Sequence, residues 1–120
     1  MATVVTQVGR ASITASLAAS TLNFIGWGEG TTAADAADTA LETEAAEARV
    51  AGTQSQETTT TTDDTYQVVG TIVATAARAI TEAGLFSAAT AGDMFVRGDF
   101  PVVNLASGEQ IQFTVRVQAT

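Results

Sequence analysis

The residues that could do chemistry in this 120-residue chain are carboxylates, hydroxyls and five arginines, because it contains no histidine, cysteine or lysine. A nucleophilic serine or threonine needs an adjacent base, and the usual bases are missing. The commonest general base and transition-metal ligand is missing too. Without cysteine there is no disulfide and no thiolate metal site. Asp35, Asp38, Glu42 and Glu44 form an acidic run, but calcium loops place ligands at alternate positions around an obligatory glycine, and this spacing differs. A solvated acidic loop is the plainer reading. Gly26-Trp27-Gly28-Glu29-Gly30 superficially resembles a phosphate cradle, yet acidic residues follow it instead of a helix and no lysine is available. Its glycines read as a bend, with Trp27 at a sheet edge. Glu82 stands out, set between apolar residues in Ile80-Thr81-Glu82-Ala83-Gly84-Leu85-Phe86. A carboxylate there needs a partner, and Arg78 and Arg97 are the nearest candidates for a structural ion pair. No catalytic, cofactor-binding or metal-binding residue is assigned.

Charge narrows the partners. Thirteen acidic residues against five basic ones give a net charge of -8, which disfavours phosphate backbones and anionic membranes. All five basic residues are arginine, consistent with either a high-salt host or GC-rich coding. No apolar run approaches the roughly 18–20 residues that span a bilayer. Met1-Ala2-Thr3-Val4-Val5 lacks the positive start of a signal peptide, so synthesis in the cytoplasm is expected.

The elements that must position these groups are mostly strands. Residues 3–8 are β-branched and predict a strand, and 11–19 carry Ile13 and Leu17 four apart, a one-stripe helix. Residues 21–27 predict a buried strand, and Thr39–Glu44 a helical turn capped by Asp38. Residues 48–66 read as a polar hairpin. Strand-like residues 48–60 lead into the threonine run Thr58–Thr62 and Asp63-Asp64, a tip polar enough to project and order only against a partner. The return, Thr65–Val73, has apolar groups on both faces and should lie inside a sandwich or under a helix. Strands follow at Ala79–Phe86 and Asp93–Phe100, the latter ended by Pro101. Glu109–Ala119 alternates, with Ile111, Phe113, Val115 and Val117 inward. The sum is one mainly β domain over residues 1–120. It is a small antiparallel β-sandwich of about six or seven strands with one short N-terminal helix.

Three segments then carry a resemblance. They are Thr6–Ala11 with its helix, then Ile25–Thr32 with Asp38–Glu44, then Ile80–Ala88 with Phe95–Pro101 and Ser107-Gly108-Glu109. In that order they resemble small virion proteins of tailed bacteriophages and archaeal tailed viruses. They are also similar to the N-terminal attachment domain of phage tail-collar fibres, whose pattern runs T-N-x-G, G-x-G, T-A-L-x-x-E and E-x-G-L-F/Y-D-A. The chain lacks that family's long central insertion, and no fibre shaft or tip follows residue 120. The resemblance implies a non-enzymatic β-sandwich, without cofactors, that docks on other virion proteins and forms a homo-oligomer. Capsid decoration or turret is the first expectation. A neck, tail or baseplate adaptor or fibre base is the alternative. A carbohydrate-binding module is the second alternative, and it would need exposed aromatics on one face.

Overall fold

Thr6 begins the ordered architecture of the computed structural model, which describes all 120 residues. Its hydroxyl accepts the Gly9 amide at 3.0 Å and caps helix α1, Gln7–Ala18. The cap draws the helix start back to Gln7, so the strand expected over residues 3–8 does not form. Residues 1–6 instead precede the helix without a strand partner, with Val4 83 % exposed.

Seven strands follow: β1 (Phe24–Gly28), β2 (Val50–Ala51), β3 (Thr53–Glu57), β4 (Thr65–Val73), β5 (Arg78–Phe86), β6 (Met94–Leu105) and β7 (Gln110–Gln118). They form two antiparallel sheets packed as a sandwich, in the orders β2-β1-β5-β6 and β3-β4-β7. Residues 48–60 are not one strand. The chain changes sheet at Gly52, where a Cβ would stand 2.4 Å from Val68 Cγ1 and 2.9 Å from the Val69 carbonyl oxygen. Only glycine lets the backbone cross so close to β4. The β3–β4 hairpin with its tip at residues 58–64 forms as its sequence implies.

Between the sheets lies a core of Ile25, Trp27, Tyr66, Val68, Ile72, Ile80 and Leu85. Trp27 is therefore an interior residue and not a sheet-edge one, packed edge-on to Phe113 at 6.3 Å. On β4 only one face is core: Tyr66, Val68, Gly70 and Ile72 are buried, whereas Val73 is 46 % exposed. The expected double-sided burial fails because no layer covers the outer face. α1 packs against β3 and β4, where Gln56 donates to the Ala11 carbonyl and the Thr14 hydroxyl.

β6 runs straight through Pro101, further than the expected 93–100. The proline is tolerated because β6 is an edge strand and its register slips there. Glu82 pairs with Asp99 and Ile80 with Val103, so β6 spends four residues where β5 spends two. A second slip at Leu85–Phe86 leaves Phe95 unpaired and 42 % exposed. β7 alternates as its sequence implies, its odd-numbered residues turned inward but only half-buried because it too is an edge.

The threonine tip is not loose. Asp64 is fully buried, and its carboxylate accepts the amides of Thr59, Thr60 and Thr61 at 2.8, 3.0 and 3.0 Å. It also accepts the Thr65 hydroxyl at 2.9 Å and Gln118 Nε2 at 3.0 Å. Those amide bonds hold its carboxyl well below the usual aspartate range. One anion thus organises a segment whose side chains cannot make a core.

Two outcomes follow. Phe113→Ala should cost ~2 kcal/mol, near half of what a fully buried phenylalanine loses, while Leu85→Ala costs about 2–5 kcal/mol. A loss for Phe113→Ala as large as the about 3–5 kcal/mol of a fully buried phenylalanine would contradict its half-burial. Limited proteolysis should spare residues 58–64 in the native protein and cut there first in Asp64→Ala. Early cutting of the native tip would refute the clamp.

Candidate functional site

Alternation along β5 and β6 sends Ala83, Leu85 and Val96 into the sandwich, and Glu82, Gly84 and Arg97 to the opposite face of that sheet. That outer face is not left to solvent. The segment between β1 and β2, residues 29–49, lies across it and carries Glu29, Asp35, Asp38, Glu42, Glu44 and Glu47. Glu82 is the point at which the two layers meet.

The Glu82 side chain has no solvent exposure. Its Oε2 accepts the amides of Gly30 at 2.8 Å and Thr43 at 2.9 Å. Its Oε1 accepts the Glu42 amide at 2.9 Å and Arg97 Nε and Nη2 at 3.2 and 3.1 Å. Burial alone would raise its pKa. The amides of Thr43, Glu42 and Gly30 and the Arg97 guanidinium outweigh burial and hold the carboxyl below its usual range. The glycines make room for it. A Cβ at Gly28 would sit 2.4 Å from the Thr43 carbonyl oxygen and 2.6 Å from Glu82 Oε2, and one at Gly30 would sit 2.5 Å from that same oxygen. The glycine turn does bind an anion, and the anion is the protein's own Glu82.

Arg97 extends the network, donating to Asp38 Oδ2 at 2.8 Å and to the Thr32 carbonyl at 2.8 Å. Asp38 is thus an arginine partner and not a helix cap, and the helical turn expected over Thr39–Glu44 is absent. Glu82 takes the Glu42 and Thr43 amides, and Glu44 forms a bridge to Gly28. Glu42 itself accepts from the Thr31 and Thr32 amides. The acidic residues therefore neither converge on a cation nor form a simple solvated loop. No three of the chain's carboxylates gather as a metal site would require.

Of the two arginines considered for Glu82, Arg97 is the partner. Arg78 instead meets Glu47, which also accepts Trp27 Nε1 at 3.0 Å and the Thr75 amide and hydroxyl at 3.0 and 2.8 Å. Burial pushes the Glu47 carboxyl up, but the Thr75 and Trp27 hydrogen bonds dominate and take it down to about 2. Arg49 grips Glu44 with two nitrogens at 2.8 and 3.0 Å and lies over the Phe86 ring at 3.5 Å. Neither Glu47 nor the Glu44–Arg49 pair was legible beforehand. Glu47 lies 20 residues from Trp27 and 31 from Arg78, and nothing local marks it.

Two of the surface depressions adjoin these residues or the open edge of the sandwich. One, of about 390 Å³, lies between Asp35, Asp38, Phe95 and Arg97. The other, of about 280 Å³, opens between edge strands β6 and β7 and is lined by Leu85, Val96, Phe100, Phe113 and Val115. No protein-family model matches the chain, and no curated protein matches it.

Glu47, Asp64 and Glu82 all have folded-state pKa values below their unfolded ones, so each binds its proton more readily after unfolding. Their stabilisation is complete above the ordinary glutamate value of 4.5 and is lost as pH falls toward about 2. Melting temperature should therefore drop steeply between those limits, and less steeply in Glu47→Gln. A melting curve independent of pH across that window would contradict the burial of these carboxylates. Glu82→Gln should cost about 3–5 kcal/mol at neutral pH by chemical denaturation, because it removes the fully buried one of Arg97's two counter-charges and leaves Asp38 alone to balance it.

Proposed function

We propose that this protein is a non-enzymatic structural component of a tailed-virus particle, a capsid decoration or turret protein docked on other virion proteins. One observation carries the reading. The second and third of the segments that resemble virion proteins are distant in sequence, yet they meet at one carboxylate. Gly30 ends the glycine turn, Glu42 and Thr43 belong to the Asp38–Glu44 segment, Glu82 opens the Glu-Ala-Gly-Leu-Phe strand, and Arg97 lies in Val-Arg-Gly-Asp. Motifs that meet in space form one structural unit, and such a unit explains why they occur together and in order.

The chemistry supports a structural role. A carboxylate has about four acceptor sites, and Glu82 receives five hydrogen bonds, so none is left for a substrate proton. The hydroxyls have no histidine or lysine to activate them. A carbohydrate platform is disfavoured, since Phe95 is the one aromatic among the exposed large apolar residues. The net charge of -8 argues against nucleic acid and anionic membrane as partners. The likeness to the collar-fibre attachment domain favours a neck, tail or baseplate adaptor, or fibre base, as the second reading within the same particle. The protein is made in the host cytoplasm and resides in the virion.

Peptide mass spectrometry and imaging of purified virions test this. A high copy number on the capsid supports decoration, and a few copies at the neck or tail support the adaptor. Abundance in infected-cell cytosol with absence from particles would overturn both.

A further inference from the structure

Edge strands invite pairing, and this fold has guarded some of its edges. β2 is two residues long, and β6 carries Pro101 and two register slips. β7 has no such protection. It runs nine residues without proline, glycine or lysine and pairs with β4 alone, so half of its backbone groups face away from any strand. Beside it the sandwich gapes, and the 280 Å³ cleft between β6 and β7 exposes part of Leu85, Val96, Phe100, Phe113 and Val115.

The chain also holds a strand without a sheet. Residues 2–6, Ala-Thr-Val-Val-Thr, have strong strand propensity, yet they stand in front of α1 unpaired, with Val4 83 % and Val5 43 % exposed. We infer that residues 2–6 of one copy add to the free edge of β7 in a second copy, with Ala2 and Val4 turned into the β6–β7 cleft. This rests on the homo-oligomer that the virion resemblance implies and names the contact by which copies join.

Length, pattern and charge fit. Five extended residues reach roughly 17 Å, enough to cover the cleft-lining half of β7. Alternation places Ala2, Val4 and Thr6 on one face, small and β-branched groups suited to a shallow apolar cleft. Two molecules of charge -8 repel each other, but neither contact surface carries an acid: residues 1–6 have no charged side chain and β7 has Arg116 alone. The donated strand would satisfy backbone groups on β7 and cover the side chains that β7 leaves half-buried. Such a contact is heterologous, since arm meets edge, and it repeats from copy to copy.

The native chain has no cysteine, so two single-cysteine variants report on this contact alone. Val5→Cys and Thr114→Cys proteins, whose cysteines share the outward face of the paired strands, are mixed and oxidised. A disulfide-linked heterodimer is expected, and its absence overturns the proposal. Val4→Asp should be monomeric by light scattering at concentrations where the native protein associates, with an unchanged protomer melting temperature. Persistence of the native mass in Val4→Asp, or a monomeric native protein, overturns it as well. A disulfide forming only within a chain carrying both cysteines overturns it by placing the arm on its own edge. The virion measurement is independent: exchange in solution without presence in particles would sink the viral function and leave the contact standing.

Discussion

A carboxylate taken out of water has to be surrounded by donors, and Glu82 imposes that condition on the whole segment between β1 and β2. Its oxygens require the amides of Gly30, Glu42 and Thr43 and the fork of Arg97. Meeting that requirement pins residues 29–49 to the outer face of a sheet whose residues there include glycines, charges and Phe86. An apolar loop could have covered the same face through the hydrophobic effect, but with less control over position. Hydrogen bonds to fixed oxygens set where each segment sits to within a fraction of an ångström, and they set it at Gly30, Glu42 and Thr43 at once.

The arginine-only basic composition takes on a structural meaning here. Arg49, Arg78 and Arg97 each hold a loop carboxylate through side-chain hydrogen bonds, and two also donate to backbone carbonyls. Arg97 alone contacts Glu82, Asp38 and the Thr32 carbonyl, a geometry that needs several donors in one plane. A lysine has three donors on a single nitrogen and cannot span those acceptors. Whatever the coding bias, three of the five positions need a guanidinium.

Much of the β framework was legible because strands write their period into the sequence. β4 occupies Thr65–Val73 as expected, and the alternation of β7 marks its inner face correctly. Glu82 was recognisable as a buried carboxylate because apolar neighbours surround it on β5. What escaped was set by contacts across long sequence separations. Trp27 is interior because Phe113 closes over it, and Asp64 is buried because Gln118 and three amides reach it. At Pro101 a local rule pointed to a strand end, but an edge strand with a slipped register carried on through it. At residues 3–8 strand propensity lost to one capping hydroxyl. The virion reading rests on motif order, which periodicity cannot supply.

The same separations bear on how the chain reaches this state. The β3–β4 hairpin closes over a seven-residue tip, whereas the amides that meet Glu82 lie 39, 40 and 52 residues away. Loop-closure entropy favours the hairpin before the loop over the outer face. Until residues 29–49 arrive, Glu82 and Arg97 can remain hydrated on an open sheet, so early intermediates avoid the cost of desolvation. That step then excludes water from both charges as the Gly30, Glu42 and Thr43 amides arrive. Lifting that layer readmits water to Glu82 and Arg97 together, so the two charges are exposed or hidden as one.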